Sequence, residues 1–220
     1  MKRPDVRDLI NKIGIVPSVR VNTQEMARYA AETIYAAGIP IIEITLTTPG
    51  ALNLIQEFAA RYPDFAIGAG TVLDDETAQK AADAGARFIT SPGFVPETVA
   101  AANRNDIVVF PGALTPTEVI AAWKAGADFV KIFPAAPLSG AAYVRSLKAP
   151  LPQVPLIVTG GVNQLNVTDY IVAGASAIGV GGELFPIEAL HYRQEHRIQE
   201  LARRFPLMVK DGRSMREAYF

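Results

Sequence analysis

"KAGADFVKIFP", residues 124–134, opens with a helical pattern, turns at Ala125-Gly126 and runs on as a β-rich segment. Glycine in that place can take the left-handed conformation that ends a helix, so the stretch predicts a helix-to-strand junction. The same junction recurs in "AAGIPIIEIT" (36–45), "DAGARFITSPG" (83–93) and "VAGASAIGVGG" (172–182). The four glycines, Gly38, Gly85, Gly126 and Gly174, lie 47, 41 and 48 residues apart, about twice the length of a compact strand–helix unit.

Each interval therefore has room for one further strand. The candidates are "GIVPSVR" (14–20), "FAIGAGT" (65–71), "DIVVFPG" (106–112) and "VPLIVTG" (154–160), which brings the number of strands to eight. Helix starts are expected at Asn22 with Glu25, at Thr48 before Pro49, at Asp74, and at Thr115-Pro116 with Glu118. Eight strands alternating with helices favour a closed (β/α)8 TIM barrel, an α/β fold, over an open sheet. The reading is of a single barrel domain over 1–220. Residues 1–13 form an extra N-terminal helix, 186–204 a long final one, and the tail 206–220 packs on the barrel's outside.

Composition narrows the partners. Lys plus Arg number 21 against 22 Asp plus Glu in 220 residues, so no global charge steers the chain to nucleic acid or to an anionic membrane. Zero cysteines exclude disulfides, thiolate catalysis and cysteine-held metal. No apolar run reaches the roughly 18 residues of a membrane helix, and "MKRPDVRDLINK" has no secretory core, so a cytoplasmic protein acting on a small molecule is expected. Neither a metal nor a cofactor is expected. The only histidines, His191 and His196, fall five apart on the expected final helix, about 140° round it and away from the barrel mouth.

Strand residues of a barrel alternate between its centre and the helical layer. Counting through "FVKIF" puts Phe129, Lys131 and Phe133 on one face, and counting through "IIEITL" puts Ile41, Glu43 and Thr45 together. Lys131 and Glu43 then both point inward near the C-terminal ends of strands, where barrel enzymes keep their chemistry. Either residue alone fits a buried ion pair or a lysine reaching for solvent. Together they make a core too costly to keep without a chemical use. Burial disfavours an ammonium, so an amine in a desolvated pocket can attack a ketone and form a Schiff base, and a nearby carboxylate can move the protons. That chemistry is an aldolase's and needs no metal.

The segments "VPSVR", "IIEITLTTP", "IGAGTVLD", "FITSPG", "FPGALTPTE", "VKIFPA" and "VTGGV" follow one another over roughly residues 10–185. In order and spacing they resemble the 2-keto-3-deoxy-6-phosphogluconate (KDPG) / 4-hydroxy-2-oxoglutarate (KHG) aldolase family of class I pyruvate aldolases. The resemblance implies a (β/α)8 barrel, a homotrimer and a keto-acid substrate, with Lys131 as the Schiff-base lysine and Glu43 as the general acid/base. It also implies Thr71 lining the pyruvate site, Pro92 and Phe133 as walls, and Gly160 and Gly161 as backbone contacts. Thr45 on the face of Glu43, and Thr159 in "VTGGV", complete the expected substrate contacts.

Two positions depart from that pattern. Many members carry a carboxylate-clamping arginine four residues after the catalytic glutamate, where this chain has Thr47; Arg20 of "SVR" is the alternative clamp, or else a surface ion-pair partner. The glycine loops "TGGV" and "GVGG", with Gly181 and Gly182, suit an anion held by backbone N–H groups. Phosphate-using relatives, however, place a serine at Gly182, and Glu183 follows as a like charge or a helix cap. A phosphosugar isomerase or epimerase using Glu43 and Lys131 for proton transfer, or a non-catalytic barrel serving as an oligomeric scaffold, are the other readings open to these residues.

Overall fold

All four Ala-Gly junctions are built alike. In the computed structural model, which describes residues 1–219, Gly38, Gly85, Gly126 and Gly174 have φ of 82°, 90°, 92° and 108°. At the first, Gly38 N–H donates to Tyr35 O at 3.0 Å and Ile39 N–H to Ile34 O at 3.2 Å, the paired bonds of a Schellman ending. The last carbonyls of each helix are thereby satisfied, and the chain is turned directly into a strand.

The strands are β1 (Ile15–Val19), β2 (Ile41–Thr45), β3 (Ala66–Gly70), β4 (Phe88–Thr90), β5 (Val108–Phe110), β6 (Gly112–Ala113), β7 (Val130–Ile132), β8 (Leu156–Val158) and β9 (Ala177–Val180). All pair in parallel, in the order β5-β4-β3-β2-β1-β9-β8-β7-β6. The expected fifth strand is thus two pieces separated by Pro111, which has no N–H for the ladder. β5 pairs with β4 and β6 with β7, so the broken strand closes the barrel.

Helices α1 (Arg3–Ile13), α2 (Gln24–Ala36), α3 (Ala51–Arg61), α4 (Asp75–Asp83), α5 (Pro96–Arg104), α6 (Pro116–Lys124), α7 (Ala141–Lys148) and α8 (Val167–Val172) alternate with the strands. Asp74 caps α4, and Thr115 with Glu118 forms a capping box on α6, as expected from the sequence. Two starts differ. Thr23, not Asn22, caps α2 by accepting from Met26 N–H at 3.2 Å. α3 begins after Gly50 because the Thr48 side chain turns inward and accepts from Val21 N–H at 3.3 Å, tying the loop to the end of β1.

The C-terminal region differs most from expectation. A short helix α9 (Ile187–His191) ends before α10 (Glu195–Tyr219), which passes through Pro206 and takes in the tail as far as Tyr219; residue 220 lies outside the described residues. Buried Ile198, Ala202, Phe205 and Val209 recur at helical spacing, so packing of this stripe outweighs the cost of an interior proline. Gly212 extends the stripe: a Cβ there would stand 2.9 Å from Ile171 of α8, so its absence lets the two helices close. The turn between α9 and α10 also puts His191 and His196 on separate helices, both exposed. No helix among the described residues is long and apolar enough to cross a membrane.

α1 plugs the end of the barrel opposite the C-terminal strand ends. Arg3 donates to the Asp128 carboxylate from Nε (3.1 Å) and Nη2 (2.7 Å), and Arg7 stands 3.5 Å away. Asp128 also accepts from Val109 N–H at 2.9 Å while its own N–H donates to Val109 O, so it stitches the seam beside Pro111. Its side chain is 4% exposed. Asp128→Ala leaves a half-buried guanidinium and the Val109 N–H without their acceptor, and is expected to cost about 3 kcal/mol of stability, read by urea denaturation.

Candidate active site

The floor of the site is aromatic. Phe88 and Phe110 stack with centroids 5.3 Å apart, and Phe129 meets Phe110 edge-on at 6.2 Å. A Cβ at Gly68 would overlap the Phe88 ring, so β3 leaves that space to it. Above this floor β3 leaves a second gap: a Cβ at Gly70 would collide with the carboxylate of Glu43.

Glu43, on β2, is 5% exposed and is held by two hydroxyls. Ser18 Oγ of β1 donates to its Oε1 at 2.8 Å and Thr90 Oγ1 of β4 to its Oε2 at 3.0 Å. From β7, Lys131 Nζ donates to the same Thr90 Oγ1 at 3.4 Å and lies 5.2 Å from the centre of the Phe133 ring. Among the described residues Lys131 and Glu43 form no direct ion pair; one threonine hydroxyl stands between them. The buried-ion-pair reading is therefore set aside. Lys131 is half-buried, its amine at the edge of a cavity open to solvent.

That cavity, about 710 Å³, lies at the C-terminal ends of the strands and brings together Glu43, Lys131, Arg20, Thr71, Pro92, Phe133, Thr159, Gly160, Gly161, Gly181 and Gly182. Thr71 has φ of 63°, an uncommon conformation for a β-branched residue that marks a position held by its surroundings. Exposed Arg20 reaches its hydroxyl from Nη2 at 3.4 Å. Gly160 and Gly161, with φ of 85° and 86°, let the loop after β8 lie on the loop after β7, where a Cβ at Gly160 would approach Pro134 to 3.0 Å.

Thr45 stands apart from this group. Its side chain is buried and its hydroxyl donates to Val19 O at 3.1 Å, bracing β2 against β1 rather than facing the cavity. Thr47 lines a shallower depression near Lys80. Ser18 and Thr90, which grip the carboxylate, were not among the expected site residues. The alternation that picked out Lys131 marks them too, since Val16 and Ser18, like Phe88 and Thr90, share a face. Val162, Phe185 and Ile187 add an apolar wall on the side of Gly182 and Glu183.

An amine and a carboxylate, close but separated by a hydroxyl at the open end of a parallel barrel, form the working pair of an imine-forming, class I aldolase. Sequence comparison leads to the same class: a family model described as KDPG and KHG aldolase matches residues 6–201, and the chain belongs to that family. It is 34% identical over 190 residues to the KHG/KDPG aldolase of Escherichia coli (strain K12), covering 86% of this chain and 89% of the relative. The crystal structure of KDPG aldolase from Legionella pneumophila, with pyruvate captured at low pH as a covalent carbinolamine intermediate, superposes with a TM-score of 0.82 at 30% identity, covering 89% and 95% of the two chains. A chain of a cube-shaped, highly porous cage designed by fusing symmetric oligomeric domains gives 0.83 at 27% identity, covering 94% of this chain and 76% of that one.

The gap at Gly70 makes a direct test. Gly70→Ala pushes the Glu43 carboxylate off its two hydroxyls while adding one methyl group to the core. Aldolase turnover should fall by roughly 10²-fold, as for loss of a general acid–base, with the circular dichroism spectrum unchanged.

Proposed function

We propose that this protein cleaves a 2-keto-3-deoxy or 4-hydroxy-2-oxo acid to pyruvate and an aldehyde through an imine on Lys131, with Glu43 moving the protons. One observation carries the reading: the Lys131 amine and the Glu43 carboxylate meet on a single hydroxyl at the mouth of the barrel. An isomerase would use the two groups for proton transfer alone, whereas imine chemistry calls for an amine free of a direct counter-ion, as Lys131 is among the described residues.

Addition of the amine to C2 of the keto acid forms a carbinolamine, and loss of water leaves a protonated imine. Its nitrogen draws in the electron pair of the C3–C4 bond as Glu43 takes the C4 hydroxyl proton, so the aldehyde departs and an enamine remains. The enamine regains a proton at C3, and water then frees pyruvate from Lys131. Arg20 and Lys131 are the cations lining the cavity among the described residues. With Lys131 committed to the imine, Arg20 is the partner for the C1 carboxylate, a role that its planar fork suits.

The far end of the substrate meets the glycine loops and Glu183, which is exposed and has no hydrogen-bond or ion-pair partner among the described residues. A terminal phosphate there faces a like charge, whereas a neutral hydroxylated end does not. A homotrimer completes the proposal. It rests on the family resemblance, with the similar chain found in a cage of fused symmetric oligomeric domains as support.

Borohydride added with pyruvate is expected to leave a reduced pyruvyl group on Lys131, seen by peptide mass spectrometry; an adduct that persists in Lys131→Ala would sink the mechanism. For substrate choice, kcat/KM for KHG or for an unphosphorylated 2-keto-3-deoxy sugar acid should lie within about a hundredfold of that for KDPG. Glu183→Ala should raise kcat/KM for KDPG by roughly threefold to tenfold, less at high salt because the charge is exposed. A larger preference for KDPG that Glu183→Ala leaves unmoved would mean that this carboxylate faces away.

A further inference from the structure

Thr90 is fully buried at the end of β4, and a valine there would have nearly the same shape. Its hydroxyl is nonetheless used twice, donating to Glu43 Oε2 at 3.0 Å and accepting from Lys131 Nζ at 3.4 Å. Ser18 already anchors the other carboxylate oxygen at 2.8 Å, so Glu43 has a second anchor without Thr90. What Ser18 does not supply is a connection to the amine.

We propose that Thr90 is a catalytic residue of this aldolase, its hydroxyl relaying protons between the Lys131 nitrogen and the Glu43 carboxylate while the imine forms and breaks. The inference rests on the Schiff-base reading of Lys131. When the amine adds to the ketone, its nitrogen becomes positively charged and must lose a proton. That proton passes to Thr90 Oγ1 as the hydroxyl's own proton moves to Glu43 Oε2, so the hydroxyl is regenerated and one proton has crossed from nitrogen to carboxylate. Protonated Glu43 returns it to the former ketone oxygen, giving the neutral carbinolamine; a second proton, taken up by Glu43 from solvent at the open mouth of the cavity, then lets that hydroxyl leave as water while the nitrogen lone pair completes the C=N bond of the protonated imine. Hydrolysis runs the same path in reverse. Beyond the keto acid the step takes one proton from solvent, returned on hydrolysis, and it requires no oxidant.

The relay separates from mere packing by what each substitution keeps. Thr90→Val keeps the shape and removes the hydroxyl; Thr90→Ser keeps the hydroxyl and removes a methyl group. The measurement is the single-turnover rate of imine formation with pyruvate, quenched by borohydride and followed by mass spectrometry. Thr90→Val should slow it by roughly 10²-fold, within the span of general acid–base catalysis, and Thr90→Ser should stay within about threefold of the unmodified protein. In mixtures of light and heavy water the unmodified protein should show a curved dependence of rate on deuterium fraction, as two protons in flight require. Thr90→Val imine formation within twofold of the unmodified protein, equal slowing in Thr90→Ser, or a linear deuterium dependence would overturn the relay. Should the unmodified protein give no pyruvyl adduct at all, the Schiff-base reading itself fails, a result distinct from any of these. The deuterium measurement needs no variant, so the test stands even if Thr90→Val does not fold.

Discussion

A carboxyl group at the centre of a barrel must be given hydrogen-bond partners and room, because an unpaired polar group buried there is costly. The arrangement around Glu43 meets both conditions from four strands. β1 and β4 supply the hydroxyls of Ser18 and Thr90, β3 supplies the gap at Gly70, and β2 carries the acid itself. The aromatic floor of Phe88, Phe110 and Phe129 closes the space beneath. The small residues of β3 thus serve two ends: the gap at Gly68 seats a ring of the floor and the gap at Gly70 seats the acid.

The parts of the fold that were legible in the sequence are those with a local cause. Each Ala-Gly junction carries its own stop signal, and the period of two along β2 and β7 is enough to turn Glu43 and Lys131 inward without knowledge of any neighbour. Thr90 carries the same signal but does not stand out as a site residue, because a threonine in a strand is ordinary until the carboxylate beside it is known. Thr45 shows the converse: the count placed it with Glu43, yet a carbonyl of the adjacent strand took its hydroxyl. Long-range facts stayed hidden. That α10 continues through Pro206 depends on α8 offering a surface for its stripe, which the 206–220 segment read alone does not disclose.

The seam beside Pro111 makes a related point about closure. A proline in the fifth strand removes a ladder donor where the barrel has to join. The Asp128 carboxylate supplies an acceptor for the Val109 N–H at the same place, and the guanidinium groups of α1 balance its charge. The extra N-terminal helix is thereby part of the closure as well as a lid on the far end.

Arg213, near the end of α10, donates to Lys12 O at 3.1 Å and to Ser176 O at 3.0 Å, and burial lowers its pKa. It fastens the entry to the first strand across 201 residues of chain. During synthesis at about 5–20 residues per second, some 10–40 s pass between the appearance of Lys12 and that of Arg213. For most of that interval the first strand lacks its neighbour β9, and for all of it this clasp, so the nascent barrel stands open until first β9 and then Arg213 arrive.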